Sequence, residues 1–366
     1  MPELWIPYGS VETLVTVQAE NLGTVVDPQP EKGVIETEKL LEVVKMVAAL
    51  FVCDACPTTT ELLRELAGEM ISIPTLRIFS AAPKRIESVV PELKGRVTTL
   101  PPPISPGDGE IALAQELTEK GAKIFVGTPR PDPLFGIVDT KVEACLNWVA
   151  HSHREAALAR KEMEPSPFKM TKSKEVMDGI ADGIPGASFV DVLPRGGKMR
   201  MVTQDAPFDA IKNGFLNFAS PAARAIVVGT GGKGYDDTLS SALRTAWNSL
   251  SAVRKSGSVV LMAECSEGLG STALDMAATG RVSGEGGRAR EAHVDGLEDL
   301  FYLNKLRNEY DVLLLSGLPE VYAKSKLGLA TARGSGEAVG RLLNKLGRSG
   351  KLNVVTRAAE CRIESA

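Results

Sequence analysis

Histidine is the scarcest reactive residue in this chain: there are three among 366 residues, two of them in "AHSHRE" as His151 and His153. That scarcity limits any histidine-rich metal or acid/base chemistry. Cysteine is little commoner. The five thiols run from Cys53 to Cys361, and an odd number dispersed through a large chain argues against a disulfide framework and for reduced cysteines. Charge of neither sign accumulates, with 42 basic against 46 acidic side chains, a net charge of -4 and no run of five like charges. The expectation is therefore no nucleic-acid footprint and no polybasic membrane patch, which leaves a small molecule or a protein as partner. Long apolar runs are missing too: "VVKMVAALFVC" (Val43 to Cys53) falls far short of the ~20 residues that span a bilayer. The opening "MPELWIPYGSVE" lacks the charged-then-apolar pattern of a secretion signal. A cytoplasmic protein is expected. No short-period repeat or long low-complexity tract occurs.

What is present is alternation. At roughly 100–200 residues per domain the chain should hold two domains. "LWIPYGSVETLVTVQAE" reads as two short strands around the turn Gly9-Ser10. A helix from about Thr37 to Ala48 leads into the strand "ALFVC", and strand–helix units follow at "TLRIFSA" with Pro83 to Val90, "RVTTL" with Glu110 to Glu119, and "KIFVGT" with Val142 to about Lys161. Such alternation marks βαβ units on a mainly parallel sheet. "FVDVLPRGGKMRMVTQ" (Phe189 to Gln204) breaks it with a hairpin turn at Arg195-Gly196-Gly197, the expected edge of the first sheet. After "FDAIKNGFLNFASP" the pattern restarts: strand "RAIVVG", a glycine-rich loop, a helix from Thr238 to Arg254, then strands "SVVLMAE", "DVLLLSG" and "LNVVTRA" separated by helices. The expected division is a first domain over 1–205, a linker over 206–220 and a second domain over 221–366. "PPPISPGDGE" (Pro101 to Glu110) reads as a surface connector and "GRVSGEGGRARE" (Gly280 to Glu291) as a mobile loop.

Three loops carry residues with chemistry. In "LFVCDACPTTTELLREL" (Leu50 to Leu66), Cys53-Asp54-Ala55-Cys56-Pro57 stands where a strand hands over to a helix, the place where a helix N-terminus favours a thiolate. A thiol-redox or metal site is one reading, incidental buried thiols another, and a position in a ligand cleft the third; no second CxxC supplies the further ligands of a closed zinc or iron–sulfur site. "GTGGKGYDD" (Gly229 to Asp237) also joins strand to helix, so the amides around Gly231 and Gly232 are candidates to cradle an anion, although the loop is neither GxGxxG nor GxxxxGK[ST]. "AECSEGLGS" (Ala263 to Ser271) places Cys265, Glu267 and Gly268 at the strand ends where open α/β sheets bind ligands. The alternative for each glycine loop is a purely structural connection.

The run "GYDDTLSSALRTAWNSLSAVRKSGSVVLMAECSEGLGS" (Gly234 to Ser271) resembles the C-terminal domain of the nickel-pincer lactate racemases and their 2-hydroxy-acid racemase and epimerase relatives. "LWIPYGSVETLVTVQAENLGTVVDP" is similar to that family's N-terminal strands, and "DVLLLSGLP" and "LNVVTRA" follow its C-terminal order. The resemblance implies two α/β domains with mainly parallel sheets facing an interdomain cleft. It also implies a nickel-bound pyridinium nucleotide that takes a hydride while two histidines exchange a proton from opposite faces.

Residue by residue, that machinery is not retained. Where the family has Asp-His-Thr-Arg-Pro, this chain keeps Asp54 and Pro57 but has Ala55-Cys56 between them. The second histidine would fall near Pro131-Asp132. The cofactor-tethering lysine falls within one residue of Lys141, in "GIVDTKVEA", without its glycines. The glutamine and lysine that hold the substrate carboxylate align with Ala242 and Thr245, while His151 and His153 lie near the region of a further nickel ligand. The expectation is a racemase-like protein without the nickel-pincer nucleotide and with no covalent adduct on Lys141. It should bind a small anionic ligand in a cleft formed by Cys53, Asp54, Cys56, Lys141, Gly231, Gly232, Tyr235, Asp237, Cys265, Glu267 and Gly268. The alternatives are an active racemase with rearranged bases, and a thiol site at Cys53 and Cys56.

Overall fold

The computed structural model describes residues 2–28, 37–100, 113–149, 166–195, 198–281, 294, 296–347 and 350–365. The connector 101–110, both histidines of "AHSHRE", the turn residues 196–197 and most of the loop 280–291 lie outside them.

Two six-stranded sheets organise the chain. The first runs Lys198–Gln204, Ala187–Arg195, Lys123–Gly127, Ala49–Val52, Arg77–Ser80 and Val97–Thr98 from edge to edge, parallel throughout except for the hairpin between its first two strands. Ala49–Val52 and Lys123–Gly127 are buried along their whole length, which is why they read as unbroken apolar runs rather than alternating ones: helices cover both faces. On one face Phe51 stacks against Phe79 and Phe125 at centroid distances of 5.0 and 4.6 Å, with Trp148 edge-on to Phe51.

The second sheet is wholly parallel, in the order Ala330–Ala332, Asp311–Leu315, Val253–Met262, Ala223–Gly229, Leu352–Val355 and Leu22–Val26. Its last member corrects the expectation that residues 1–205 form one unit. Leu22–Val26 is the outer strand of the sheet built from the C-terminal half, with Val25 and Val26 opposite Val354 and Val355. The hairpin before it, Glu3–Tyr8 with Val11–Thr16, buries Ile6 and Val15 against Ala225, Val227 and Val354. Polar side chains fix the register: Asn21 Nδ2 donates to Gly350 O at 2.9 Å, and Thr24 N donates to Asn353 Oδ1 at 2.8 Å.

The segment expected as a linker is structured. It forms the helix Phe208–Gly214 and the strand Leu216–Ser220, which pairs in parallel with Cys361–Ser365. No helix among the described residues is long and apolar enough to cross a membrane.

Candidate functional site

A cavity of about 170 Å³ opens between the two sheets. Asp54, Ala55 and Cys56 enter it from the loop after Ala49–Val52, and Arg85 and Arg130 come from the same half. The other half supplies Tyr235, Asp237, Thr238, Ser241, Thr245 and Glu267. Thr238, Ser241 and Thr245 follow the three- and four-residue spacing of one helix face, because Thr238 caps the helix Leu239–Trp247 by accepting from Ser241 N. A second cavity of about 340 Å³ adjoins this one through Ala55 and Arg85.

Asp54 holds its loop rather than presenting a free carboxylate. Its Oδ1 accepts from Cys56 N at 2.8 Å and its Oδ2 from Thr128 N at 2.5 Å, so two backbone donors at the mouth of the sheet depend on one side chain. Both cysteines of this loop are buried thiols. Cys53 Sγ lies 3.9 Å from Phe51 O and 4.0 Å from Thr140 O, and Cys56 Sγ donates to Gly234 O at 3.4 Å. Burial pushes both thiols well above the usual range, with Glu143 next in effect at Cys53 and Asp54 at Cys56. A thiolate nucleophile or ligand needs the opposite environment.

The glycine-rich loop has its amides engaged. Lys233 N donates to Gly9 O at 2.7 Å, Gly234 N to Asp237 Oδ1 at 3.0 Å, and Tyr235 N and Asp236 N to Gly232 O at 2.9 and 3.1 Å. Gly232, at φ +81°, comes so close to Pro7 and Gly9 that a Cβ there would sit 2.9 Å from the Pro7 ring. Gly232 thus binds the loop to the N-terminal hairpin, which Asp236 reinforces by accepting from Gly9 N at 2.7 Å, whereas Gly231, at φ +133°, lies against the Tyr235 side chain. The loop expected as an anion cradle thus spends the amides of Lys233, Gly234, Tyr235 and Asp236 on partners within the protein. Cys265 stays buried behind the cavity wall, its thiol pushed up by burial and then by Asp236. Gly268 closes its own loop by donating its amide to Cys265 O at 3.0 Å and ties it to the helix Leu239–Trp247, its carbonyl accepting from Leu239 N at 3.1 Å.

Lys141 was placed around the same cavity by the sequence, and the structure turns it elsewhere. It lies in the first turn of Thr140–Trp148, facing the helix Lys172–Asp182, where Nζ pairs with Asp182 Oδ1 at 2.6 Å and sits 5.7 Å from the Phe189 ring centre.

The side chains that dominate the site were not singled out in the sequence. Arg85 reaches from the helix Pro83–Val89 across the cleft to Asp237 and, at 3.0 Å, to Glu267 Oε1, so one guanidinium ties the two halves at the cavity mouth. Arg130 Nη2 donates to both carboxylate oxygens of Glu143, at 2.8 and 3.0 Å. Burial works against its charge, yet Glu143, Cys56 and Asp54 outweigh burial and hold its pKa above the ordinary value. Behind the hydroxyl face, Arg244 is buried among three carboxylates: Asp299 at 3.0 Å, Glu298 at 2.9 Å and Asp132 at 3.3 Å. Asp132 comes from the first half and also accepts from Leu134 N and Phe135 N, so the position aligned with a family histidine is a structural clamp. Only an isolated arginine in an otherwise small and apolar helix, "LSSALRTAW", hinted at this in the sequence.

The comparisons with solved structures bear on the architecture. The lactate racemase apoprotein of Thermoanaerobacterium thermosaccharolyticum superposes with a TM-score of 0.72 at 13% identity, covering 99% of this chain and 100% of that one. The fold is lactate racemase-like. A protein of Thermotoga maritima solved by structural genomics matches at a TM-score of 0.60 and 12% identity, over 89% of this chain and 96% of its own. No family model and no curated protein matches the chain. In this racemase-like frame Thr245 lines the cleft whereas Ala242 is fully buried beside it. Among the described residues no group of three or more histidines, cysteines, aspartates or glutamates is placed to hold a metal ion.

Proposed function

We propose that this protein binds a small carboxylate-bearing molecule in the cleft between its two sheets and does not carry out the nickel-pincer racemase reaction. One observation carries the reading: Arg85 and Arg130 border a single cavity together with the hydroxyl-bearing face Thr238, Ser241 and Thr245. An arginine fork matches a carboxylate in two bonds, and nearby hydroxyls serve either as donors to it or as partners of a neighbouring alcohol. The acids of the cavity are already committed, Asp54 to two amides, Asp237 to Arg85 and Gly234 N, and Glu267 to Arg85 alone. Glu267 is the most exposed of Arg85's partners, at 57%, so an incoming carboxylate takes its place on Nη1 at least cost.

The residues at the family's cofactor positions do not fit the nickel-pincer nucleotide. The loop at its acid/base position holds a buried thiol and a carboxylate fully used by amides, and Lys141 is paired with Asp182 away from the cleft.

Titration calorimetry with a series of short 2-hydroxy and 2-oxo carboxylates tests the reading. Binding by the wild type that weakens at least tenfold in Arg85→Ala supports it. Stoichiometric nickel with a pyridinium mononucleotide mass on Lys141, in protein isolated from its own organism, would overturn it in favour of racemase chemistry.

A further inference from the structure

The helix Leu239–Trp247 shows the cleft one face and a different cavity another. Trp247 follows Thr245 by two residues, which turns it about 200° around the helix axis, away from the cleft. It and Asn248 border a cavity of about 440 Å³ on the far side of the seam between the two halves, within the size range of small-molecule sites. The walls come from both halves and from the crossing segment between them: Phe168 and Lys169, Lys212 of the helix Phe208–Gly214, Trp247, Tyr310, and Arg362 of the strand Cys361–Ser365.

The lining is unlike the chain as a whole. Three cations, Lys169, Lys212 and Arg362, face it against one carboxylate, Glu364, which pairs with Arg362 at 2.5 Å, although the complete chain carries a net charge of -4. Three aromatic side chains, Phe168, Trp247 and Tyr310, share the same walls in a sequence with only 5% aromatic residues. Two further features set this place apart. Phe168 holds a left-handed backbone, φ +58°, which a bulky residue rarely adopts, fixed by its amide on Gly136 O at 2.8 Å and its ring edge-on to Phe215 at 5.0 Å. The indole Nε1 of Trp247 and the Nε of Arg362 find no hydrogen-bond partner among the described residues.

We propose that this cavity is a second ligand site, separate from the cleft, that takes a planar aromatic anion. The ring lies against the aromatic walls, where stacking and cation–π contact favour a flat π-system, and the anionic group meets the excess of positive charge. Since the walls belong to both halves, an occupant bridges them and raises the unfolding temperature by binding the folded chain alone.

Trp247 is a built-in reporter, and phenyl phosphate and inorganic phosphate are the probes. Intrinsic fluorescence should respond to phenyl phosphate in the wild type and in Trp5→Phe, and lose that response in Trp247→Phe. Phenyl phosphate should bind at least tenfold more tightly than inorganic phosphate and raise Tm. Lys212→Ala and Lys169→Ala, both at side chains with solvent contact, should each weaken it severalfold with unchanged circular dichroism, and Arg85→Ala should leave it untouched. No response to phenyl phosphate, equal affinity for the two probes, or binding insensitive to both lysine variants but abolished by Arg85→Ala would overturn the proposal. The last result would place the probe in the cleft and leave the reading of the cleft standing.

Discussion

Arg244 lies in a region where its charge must be matched by the protein, because almost none of it meets water. Three carboxylates surround it, and burial pushes the Asp299 carboxyl up while Arg244 pulls it down, so the guanidinium is what permits the acids to stay there. Arg244→Met removes the cation that Asp132, Glu298 and Asp299 share, which is expected to cost about 3–5 kcal/mol, read as a lower urea midpoint at unchanged slope. Arg85→Ala, at the partly open cleft mouth, should cost about 1 kcal/mol or less. The contrast shows how residues were legible. "CDACP" has the residue types of a reactive site, yet its cysteines are buried thiols and its aspartate is a loop fastener. Arg85, Arg130 and Arg244 passed as ordinary charges because what matters about them is their partners, 50 or more residues away for Arg85 and Arg244, and a sequence does not show that proximity.

Elements were easier to read wherever their pattern was dense. The central strands announced themselves as apolar runs, and the hairpin of Ala187–Arg195 with Lys198–Gln204 by the break in alternation. The helix expected to reach Arg254 ends instead at Trp247, because the Asn248 amide turns to Ala358 O and Cys361 O and the chain passes into the strand Val253–Met262. Where the first sheet meets Thr140–Trp148, a buried acid adds a pH response. Asp191 accepts from Thr140 N at 2.9 Å and Thr140 Oγ1 at 2.8 Å, and burial followed by the Asp139 carboxylate pushes it up to about 7. The folded chain therefore keeps a proton that the unfolded chain sheds near pH 4. Stability contributed by that proton is fully present below about pH 4 and is lost as pH rises through about 7. Asp191→Asn retains the acceptor oxygen without the titration, so between about pH 5 and pH 8 its Tm should fall less than that of the wild type. Equal slopes in thermal scans of the two proteins would assign the response to another group.

At the scale of the whole molecule, the resemblance and the alternation of elements together announced two mainly parallel α/β layers, and the structure has them. The boundary was misplaced because strand pairing is not a local property: nothing within "ENLGTVVDP" says whether it joins the sheet that follows it or the one at the other end of the chain. The same nonlocality hid Phe208–Gly214 and Leu216–Ser220, whose partner strand is Cys361–Ser365. The pairing of Leu22 with Leu352 also sets a schedule for the ribosome. These residues are 330 positions apart (352 − 22), so at roughly 5–20 residues per second the opening strand waits about 15–70 s for the neighbour that covers its backbone. The first sheet, whose strands are all made by Gln204, has no such wait. Ribosome-bound chains halted near residue 250 should therefore resist brief proteolysis within the strands Ala49–Val52, Arg77–Ser80 and Lys123–Gly127 while being cut within 2–28, and release of the finished chain should protect both. Early protection of 2–28 would mean that the hairpin finds a temporary shelter before its sheet exists, a role that a trigger-factor-like chaperone or the first sheet itself would have to fill.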